Sequence, residues 1–428
     1  MKAFIVNTHS VLNSGDTGIV LAQIRFLKKH FPSLQISLSS RTPRLDDKIY
    51  SPLDVKLLPP LIPAPSIYSG AGEKIRECLK NLFNIRSKIA FMREIKHSNL
   101  VISSGGGYFW SHRRFLPGPM FLQNYLHIKL ATLRRKPVIF FPQSFDPLRS
   151  GTAVRLIRDI LEGESVIRIY AREELSAGYL KQILGKTDAL RICPDMAFLL
   201  DFEDRDTDTQ SPGSLQLKKP IIAMTLRQWD FPEGKDAKSR AEKHDAYLEN
   251  LKETCRSVYE EWNGSVVLFC QSRGPGSFED DRIITNKLKR SLKEILPAEN
   301  FRLVDLPEAA DPHAIMALLS QADFLIATRF HSAIFALIAG TPVISISYQQ
   351  KSSGIMKTLG LERFDINISD FHPKRIIDLG EEILNHAEEI RKHMRQTVLD
   401  MRNAIEADLT SVIRPFLQQD SHEDSSRQ

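Results

Sequence analysis

Residues 324–348, FLIATRFHSAIFALIAGTPVISISY, contain two short apolar runs on either side of a segment with helical spacing. The runs Phe324–Ala327 and Val343–Ser347 are rich in apolar and β-branched residues, which predicts two buried strands. Gly340 and Pro342 end the segment between them, and that segment is long enough for a crossover helix. A strand, a helix and a second strand in this order are typical of a parallel sheet.

The same alternation continues along the chain. Further strands are predicted at Lys2–Asn7, Leu34–Ser39, Leu100–Ser104, Val138–Gln143, Val166–Ala171, Leu190–Pro194, Ile221–Leu226, Ser265–Cys270 and Phe301–Val304. Helical periodicity fills most of the intervals, although the charged segment Asp230–Ala246 is expected to form a mobile excursion, and one long last helix is expected at about Ile376–Leu409. The pattern predicts an α/β protein built from βαβ units.

The 428 residues are enough for two or three domains of ordinary size. The periodicity breaks at residues 201–219, DFEDRDTDTQSPGSLQLKK, where acidic residues are followed by Ser, Pro and Gly. We therefore expect an N-terminal α/β domain at 1–200, a linker at 201–219 and a second α/β domain with a long terminal helix at 220–417. Residues 418–428 lack apolar content and are expected to be a disordered tail.

Charge and composition narrow the class of protein. The 58 Lys and Arg residues against 52 Asp and Glu give a diffuse net charge of +6, which suits anionic small molecules or a membrane surface. No basic motif with interleaved aromatic residues indicates a nucleic-acid partner. The 12 histidines and four cysteines show no metal-ligand spacing, so no metal site is predicted.

Features of secretion and membrane insertion are not predicted either. The N-terminal apolar run is too short for a signal peptide, and no run reaches the roughly 18 apolar residues of a spanning helix. The scattered cysteines fit a reducing compartment. The expected location is therefore the cytoplasm, with peripheral contact at the inner face of the membrane as an option.

Ligands of open parallel sheets bind beyond the carboxyl ends of the strands, so residues that follow the strands are candidates for a site. After the first strand, Asn13, Gly15 and Asp16 lead into a helix whose N-terminus favours an anion, although Asp16 could also be an ordinary helix cap. The third strand is followed by three consecutive glycines, which permit either close approach of a ligand or a purely structural turn. These glycines are Gly105, Gly106 and Gly107.

Cationic side chains follow strands in the second half of the chain. Arg227 offers a planar set of donors for a carboxylate or phosphate, the alternative being a surface ion pair. Arg329 and His331 lie where a strand gives way to a helix, and Lys351 follows the next strand. A lone histidine is often a cap or a core residue, but these cations together favour an anion pocket. Asp195, also at a strand end, could accept a proton or bond local amides.

Taken in order, these segments resemble the polysaccharide pyruvyl transferase family. The resemblance spans about residues 7–360 and rests on Asn13-Ser14-Gly15-Asp16, Ser104-Gly105-Gly106-Gly107, Ala171-Arg172-Glu173 with Ser176, Pro194-Asp195, Thr225-Leu226-Arg227, Arg329-Phe330-His331-Ser332, Ala339-Gly340-Thr341-Pro342 and Tyr348-Gln349-Gln350-Lys351. It implies an α/β fold with two Rossmann-like domains facing a cleft, as in the GT-B glycosyltransferases. It also implies transfer of the pyruvyl group of phosphoenolpyruvate to a sugar of a cell-surface polysaccharide or its precursor, which forms a ketal.

By this resemblance, Arg227, Arg329 and His331 bind the donor or act on it. Phosphoenolpyruvate carries a carboxylate and a phosphate, which cations including Lys351 can bind. His331 is the expected acid, because histidine as a residue type titrates near neutral pH, and Asp16 or Asp195 is the expected base. The implied partners are phosphoenolpyruvate, with no separate cofactor, and a saccharide acceptor that is free or lipid-linked. Two alternatives remain: a nucleotide-sugar-dependent glycosyltransferase and a non-catalytic sensor of an anionic metabolite.

Overall fold

The computed structural model describes residues 1–62, 72, 76, 81, 83–111, 115–203, 213–274, 276, 279–307, 309, 311–348 and 350–417, without the side chains of 350–352 and 355. The chain forms two compact units. The first unit contains Met1–Ser10, Ile19–Leu199 and the chain from Arg402 onwards, and the second contains Val11–Gly18 and Leu200–Met401.

The first unit is built on a parallel sheet. Its strands are β1 (Lys2–Val6), β2 (Gln35–Ser39), β3 (Val55–Leu58), β4 (Leu100–Ser103), β5 (Val138–Gln143), β6 (Val166–Ala171) and β7 (Leu190–Ile192). They lie in the order β3-β2-β1-β4-β5-β6-β7, and each neighbouring pair is parallel. The strand order reverses between β1 and β4, which is the topological switch point of the sheet.

Helices connect these strands. They are α1 (Ser14–His30), α2 (Pro43–Tyr50), α3 (Ile85–His97), α4 (Pro119–Leu133), α5 (Gly151–Leu161) and α6 (Glu174–Ile183). Side chains of the sheet and of α3 and α4 form a buried apolar core that includes Phe4, Phe91, Phe121 and Phe140. Local sequence fixes some helix starts, because Asn84 and Ser150 accept hydrogen bonds from first-turn N–H groups of α3 and α5.

The second unit repeats this architecture. Its strands are β8 (Ile221–Thr225), β9 (Ser265–Phe269), β10 (Phe301–Val304), β11 (Phe324–Ala327), β12 (Val343–Ser347) and β13 (Asp365–Asn367), in the parallel order β10-β9-β8-β11-β12-β13. Its helices are α7 (Ala237–Trp262), α8 (Arg282–Ile295), α9 (Pro312–Leu319), α10 (Phe330–Ile338), α11 (Gln350–Thr358) and α12 (Pro373–Asn385), and α13 (Ala387–Leu417) runs on into the first unit. Helices of the described ranges include none that is long and apolar enough to cross a membrane.

The predicted α/β class is confirmed, and residues 324–348 form β11, α10 and β12 as expected. Two expectations about helices are wrong. Most of the supposed mobile segment 230–246 belongs to α7, whose start is capped by Asp236. The expected single helix at 376–409 is interrupted at His386, whose backbone is not helical, so two helices form.

The observed units also differ from the expected domain boundaries at two places. Residues 11–18 group with the second unit, and the chain from Arg402 groups with the first. The expected tail at 418–428 and residues 204–212 of the expected linker lie outside the described residues.

Candidate active site at the strand ends of the second unit

Two arginines flank the switch point of the second sheet. Strands β8 and β11 are neighbours at this point, and Arg227 and Arg329 each follow the end of one of them by two residues. The carboxyl ends of parallel strands at a switch point form the usual ligand site of this architecture. The fold therefore places both cations where a bound ligand is expected.

Arg329 is held by a buried carboxylate. Its Nε donates to Oδ1 of Asp281 at 2.9 Å, and its Nη2 donates to the same oxygen and to the Glu279 carbonyl. The other Asp281 oxygen accepts the Ser272 N–H at 2.9 Å. Burial opposes the charge on Arg329, but the Asp281 carboxylate outweighs it and raises the pKa of Arg329. Arg329 is thus a permanent cation in a fixed orientation.

Arg227 lies among aromatic groups. Its Nη1 donates to the Tyr348 hydroxyl at 2.6 Å, and its guanidinium carbon lies 4.3 Å from the centroid of the Tyr348 ring and 5.9 Å from that of Trp229. Burial, together with the nearby Arg329 charge, lowers the pKa of Arg227. Its buried Nε has no hydrogen-bond partner within the described part of the chain. A half-buried cation with unused donor capacity is suited to an anionic ligand.

The segment after β9 organises the remaining part of the site. The Gln271 carbonyl accepts the Ser14 N–H at 3.1 Å, and Asn13 forms an antiparallel bridge with Ser272. The Ser332 hydroxyl donates to the Gln271 side chain. One turn therefore holds both residues 11–18 and the start of α10, and this brings Asn13, Gly15 and Asp16 together with His331.

Gly15 packs against the His331 ring. A Cβ at this position would lie 2.4 Å from His331 Nδ1 and 2.8 Å from His331 Cβ, closer than van der Waals contact allows. The first turn of α1 is stabilised locally, since the Asn13 side chain accepts the Gly15 N–H at 3.1 Å and donates to Asp16 Oδ2 at 2.7 Å. Asn13 thereby orients the Asp16 carboxylate next to Gly15, the residue that contacts His331.

This contact makes a first prediction. Gly15→Ala should lower turnover and reduce the free energy of unfolding by about 1–3 kcal/mol, because the added methyl group overpacks the contact with His331. Gly178→Ala is the matched control: it lies in α6, has nothing within 4 Å of the added Cβ and should be neutral or slightly stabilising. Urea unfolding and steady-state rates measure both effects. Equal behaviour of the two variants would show that the Gly15 contact tolerates a side chain.

The three consecutive glycines lie in the first unit, at the end of β4. A Cβ on Gly105 would lie 2.7 Å from the Pro142 carbonyl oxygen, and Gly106 has a φ of 123°. Gly106 also pairs with Gln143 at the end of β5. Packing of β4 against β5 thus accounts for Gly105 and Gly106, and ligand binding by these residues and Gly107 stays a prediction.

Asp195 also lies in the first unit, within a buried ionic cluster. Its Oδ2 accepts from Arg172 Nη1 at 2.8 Å, and its Oδ1 accepts the Ala197 N–H at 2.9 Å. Arg172 is also 3.4 Å from the Glu173 carboxylate. Burial opposes the charge on Arg172, but Asp195 and Glu173 outweigh it and raise the pKa of Arg172. These contacts give Asp195 a structural role at the ends of β6 and β7, and its role as a base stays a prediction.

The other site residues are placed as follows. Lys351 is the second residue of α11, and its side chain lies outside the described part of the structure. Sequence reasoning did not select Asp281 or Gln271, although Gln271 follows the predicted strand 265–270 and the strand-end rule could have found it. Within the described residues, no group of three or more His, Cys, Asp or Glu side chains could hold a metal ion.

Similarity to known proteins extends over most of the chain. A family model described as polysaccharide pyruvyl transferase matches residues 13–350. The match contains both arginines and His331 and ends one residue before Lys351. The chain belongs to this family. As a polysaccharide pyruvyl transferase it is an enzyme, a biosynthetic transferase. It is also 25% identical to the amylovoran biosynthesis protein AmsJ of Erwinia amylovora over 438 residues, covering 96% of this chain and 100% of that protein.

Solved structures of the GT-B type share the fold. A UDP-GlcNAc 2-epimerase from Neisseria meningitidis, bound to UDP-GlcNAc, has a TM-score of 0.59 at 12% identity and covers 97% of this chain and 100% of its own. HepE from Anabaena, in complex with UDP and glucose, has a TM-score of 0.53 at 10% identity, with coverage of 97% and 99%. At this identity the likeness shows the fold, and it confirms the predicted GT-B resemblance of this pyruvyl transferase.

Proposed function

We propose that this pyruvyl transferase takes the pyruvyl group from phosphoenolpyruvate and transfers it to a sugar of a cell-surface polysaccharide or its precursor, forming a cyclic ketal. The observation that carries the proposal is the pair of arginines, Arg227 and Arg329, at the strand ends. The buried Asp281 carboxylate forms an ion pair with Arg329, whereas Arg227 donates to the Tyr348 hydroxyl. Phosphoenolpyruvate has two anionic groups, a carboxylate and a phosphate, and each suits one guanidinium. The start of α10 and, in the proposal, Lys351 add positive potential.

The reaction requires proton transfers in two directions. A proton added to the methylene carbon of phosphoenolpyruvate produces the methyl group and leaves positive charge at the neighbouring carbon, which a sugar hydroxyl attacks as it loses its proton. A second hydroxyl of the same sugar then displaces phosphate, so that one hydroxyl proton replaces the proton given to carbon and the other leaves with phosphate. The products are the ketal and inorganic phosphate.

The residues of the second unit fit these steps. His331 is proposed to deliver the proton to carbon, because histidine is the usual side chain for proton transfer near neutral pH. Asp16 is proposed as the base, since Asn13 orients its carboxylate in the same first turn of α1 whose Gly15 contacts His331. Asp195 is the less favoured base, because Arg172 and the Ala197 N–H already bond its oxygens. Arg227 and Arg329 are proposed to stabilise the departing phosphate.

The acceptor is proposed to be polysaccharide-related. Membership of the family and the likeness to a protein of amylovoran biosynthesis support an exopolysaccharide or its precursor. A lipid-linked acceptor, and peripheral contact of a cytoplasmic enzyme with the inner membrane face, form further parts of the proposal.

Thermal denaturation tests the donor. Phosphoenolpyruvate should raise the melting temperature, with a stabilisation of about 2.7 kcal/mol at a concentration 100 times Kd, whereas UDP-glucose and UDP-GlcNAc should not. Arg227→Met should lose most of this shift, and Arg290→Met, which replaces an exposed arginine of α8, should keep it. A shift with a nucleotide sugar and none with phosphoenolpyruvate would favour the glycosyltransferase alternative. Acceptor-dependent release of phosphate separates an enzyme from a metabolite sensor.

A further inference from the structure

Several large apolar side chains are exposed near the beginnings of two helices of the first unit. Their exposed fractions range from 38% for Leu122 to 78% for Phe115. Soluble proteins rarely group exposed apolar side chains in this way without a binding partner. The apolar rim, as we call this set, consists of Phe83, Ile85, Ile89, Phe115, Leu116 and Leu122.

The two helices lie side by side. The Phe91 ring of α3 stacks on the His127 ring of α4, with ring centroids 4.6 Å apart. Ile85 comes six residues before Phe91, and Leu122 five residues before His127. Both helices lead into parallel strands, so they run in the same direction. At 1.5 Å per residue, Ile85 and Leu122 are displaced along the helix axes by about 9 and 7.5 Å from Phe91 and His127, toward the helix starts. The apolar rim therefore lies at one end of this helix pair.

The outward face of α3 is also cationic. Arg86, Arg93 and Lys96 are exposed on the side of the helix that carries Ile85 and Ile89. The acidic residue of α3, Glu94, is buried on the opposite side, where Lys2 and Lys56 bond its carboxylate at 2.8 and 2.7 Å. Because Glu94 is buried and paired with these lysines, its negative charge does not reach the solvent face of α3. Apolar and cationic side chains alternate on that face.

We propose that the apolar rim and the α3 cations form a docking surface for an anionic lipid bilayer. Apolar side chains flanked by Lys and Arg suit the boundary between acyl chains and anionic headgroups. The inference deepens the proposed function, and rests on it, in that a lipid-linked acceptor would be presented at this surface.

Vesicle co-sedimentation of the full chain, without phosphoenolpyruvate or acceptor, tests the surface. The protein should bind vesicles of phosphatidylcholine mixed with phosphatidylglycerol, bind vesicles of phosphatidylcholine alone weakly, and lose binding as salt is raised. Neutralising the cations with the triple variant Arg86→Gln/Arg93→Gln/Lys96→Gln should lower the partition coefficient by roughly 100-fold. The matched control neutralises three cations of α8 instead, in Lys287→Gln/Arg290→Gln/Lys293→Gln, and should bind like the wild type.

The apolar contribution has its own variants. Ile85→Ser/Ile89→Ser should lower binding by about tenfold or more, because two side chains no longer enter the apolar boundary. Leu175→Ser/Leu399→Ser is the control, since these residues are similarly exposed, at 49% and 50%, outside the apolar rim. Unchanged melting temperatures show that all four variants are folded.

Two outcomes would overturn the proposal: anionic vesicles that bind the wild type and the α3 variants equally, or no vesicle binding at all. If Ile85→Ser/Ile89→Ser instead abolished self-association in analytical ultracentrifugation, the surface would be an interface with a second copy. The phosphoenolpyruvate thermal shift is measured separately on the same variants. A variant with a normal phosphoenolpyruvate shift but no vesicle binding has lost only the docking surface. If the wild type shows no phosphoenolpyruvate shift, the donor assignment is wrong, whatever the vesicles show.

Discussion

Replacing His331 with glutamine should lower the single-turnover rate by roughly 10²–10⁴-fold while phosphoenolpyruvate still binds, because a general acid contributes about that factor. Glutamine keeps a polar side chain of similar reach at the start of α10 but does not exchange protons near neutral pH. Rates at saturating donor measure the chemical step. Calorimetric titration with phosphoenolpyruvate measures donor affinity independently.

A second role for His331 gives a different pattern. If the imidazolium bound the donor by charge, His331→Gln would weaken affinity as well as turnover and would resemble an arginine variant. His393→Gln, at an exposed position of α13, is the matched control and should keep normal values of both. Normal affinity and normal turnover in His331→Gln would remove this histidine from the mechanism.

The fold was predictable where side chains repeat with a clear period. Strands β11 and β12 were predicted with the observed bounds, since most of their residues are apolar or β-branched and all of them are buried. Strands β3 and β13 were not predicted. Both lie at a sheet edge and carry exposed polar residues, Lys56 and Asn367, so their sequences lack the pattern of a buried strand.

The candidate site was predictable where chemistry follows directly after a strand. Arg227 and Arg329 were selected by the strand-end rule, and their places follow from the strand order. Asp281 was not selected, because its hydrogen-bond partner Arg329 lies 48 residues later in the sequence and no local pattern indicates that contact. The same limit affected Asp195, where sequence showed a carboxylate at a strand end but not the Arg172 partner that occupies it.

The Arg329 and Asp281 ion pair should show the largest effect on stability. Arg329→Met should reduce the free energy of unfolding by about 3–5 kcal/mol at neutral pH, because it leaves the Asp281 carboxylate buried without its cation. The Asp281 side chain has no exposed surface. Arg363→Met is the control, since it breaks an ion pair with Glu382 whose arginine is 59% exposed, and should cost about 0–1 kcal/mol.

The deficit of Arg329→Met should depend on pH with a defined sign. Burial raises the pKa of Asp281, and in the wild type the Arg329 guanidinium opposes this rise. Arg329→Met removes that opposing charge, so the pKa of Asp281 rises further. The folded state then binds the proton more tightly than the unfolded state, so stability is greatest below the unfolded pKa, near 3.9, and falls as pH rises through the folded pKa. Urea unfolding across this range should show the gap to the wild type narrowing in acid.

The double variant Arg329→Met/Asp281→Leu separates stability from donor binding. Replacing a buried pair by apolar residues of similar volume is often neutral or stabilising, so most of the lost stability should return. Affinity for phosphoenolpyruvate should remain weakened by about 1.5–3 kcal/mol, the usual cost of losing a charge-assisted hydrogen bond, because Arg329 itself is still absent. Calorimetric titration of the stable double variant decides the point. Wild-type affinity there would mean that Arg329 only supports the fold, and Arg227 would have to bind the donor without it.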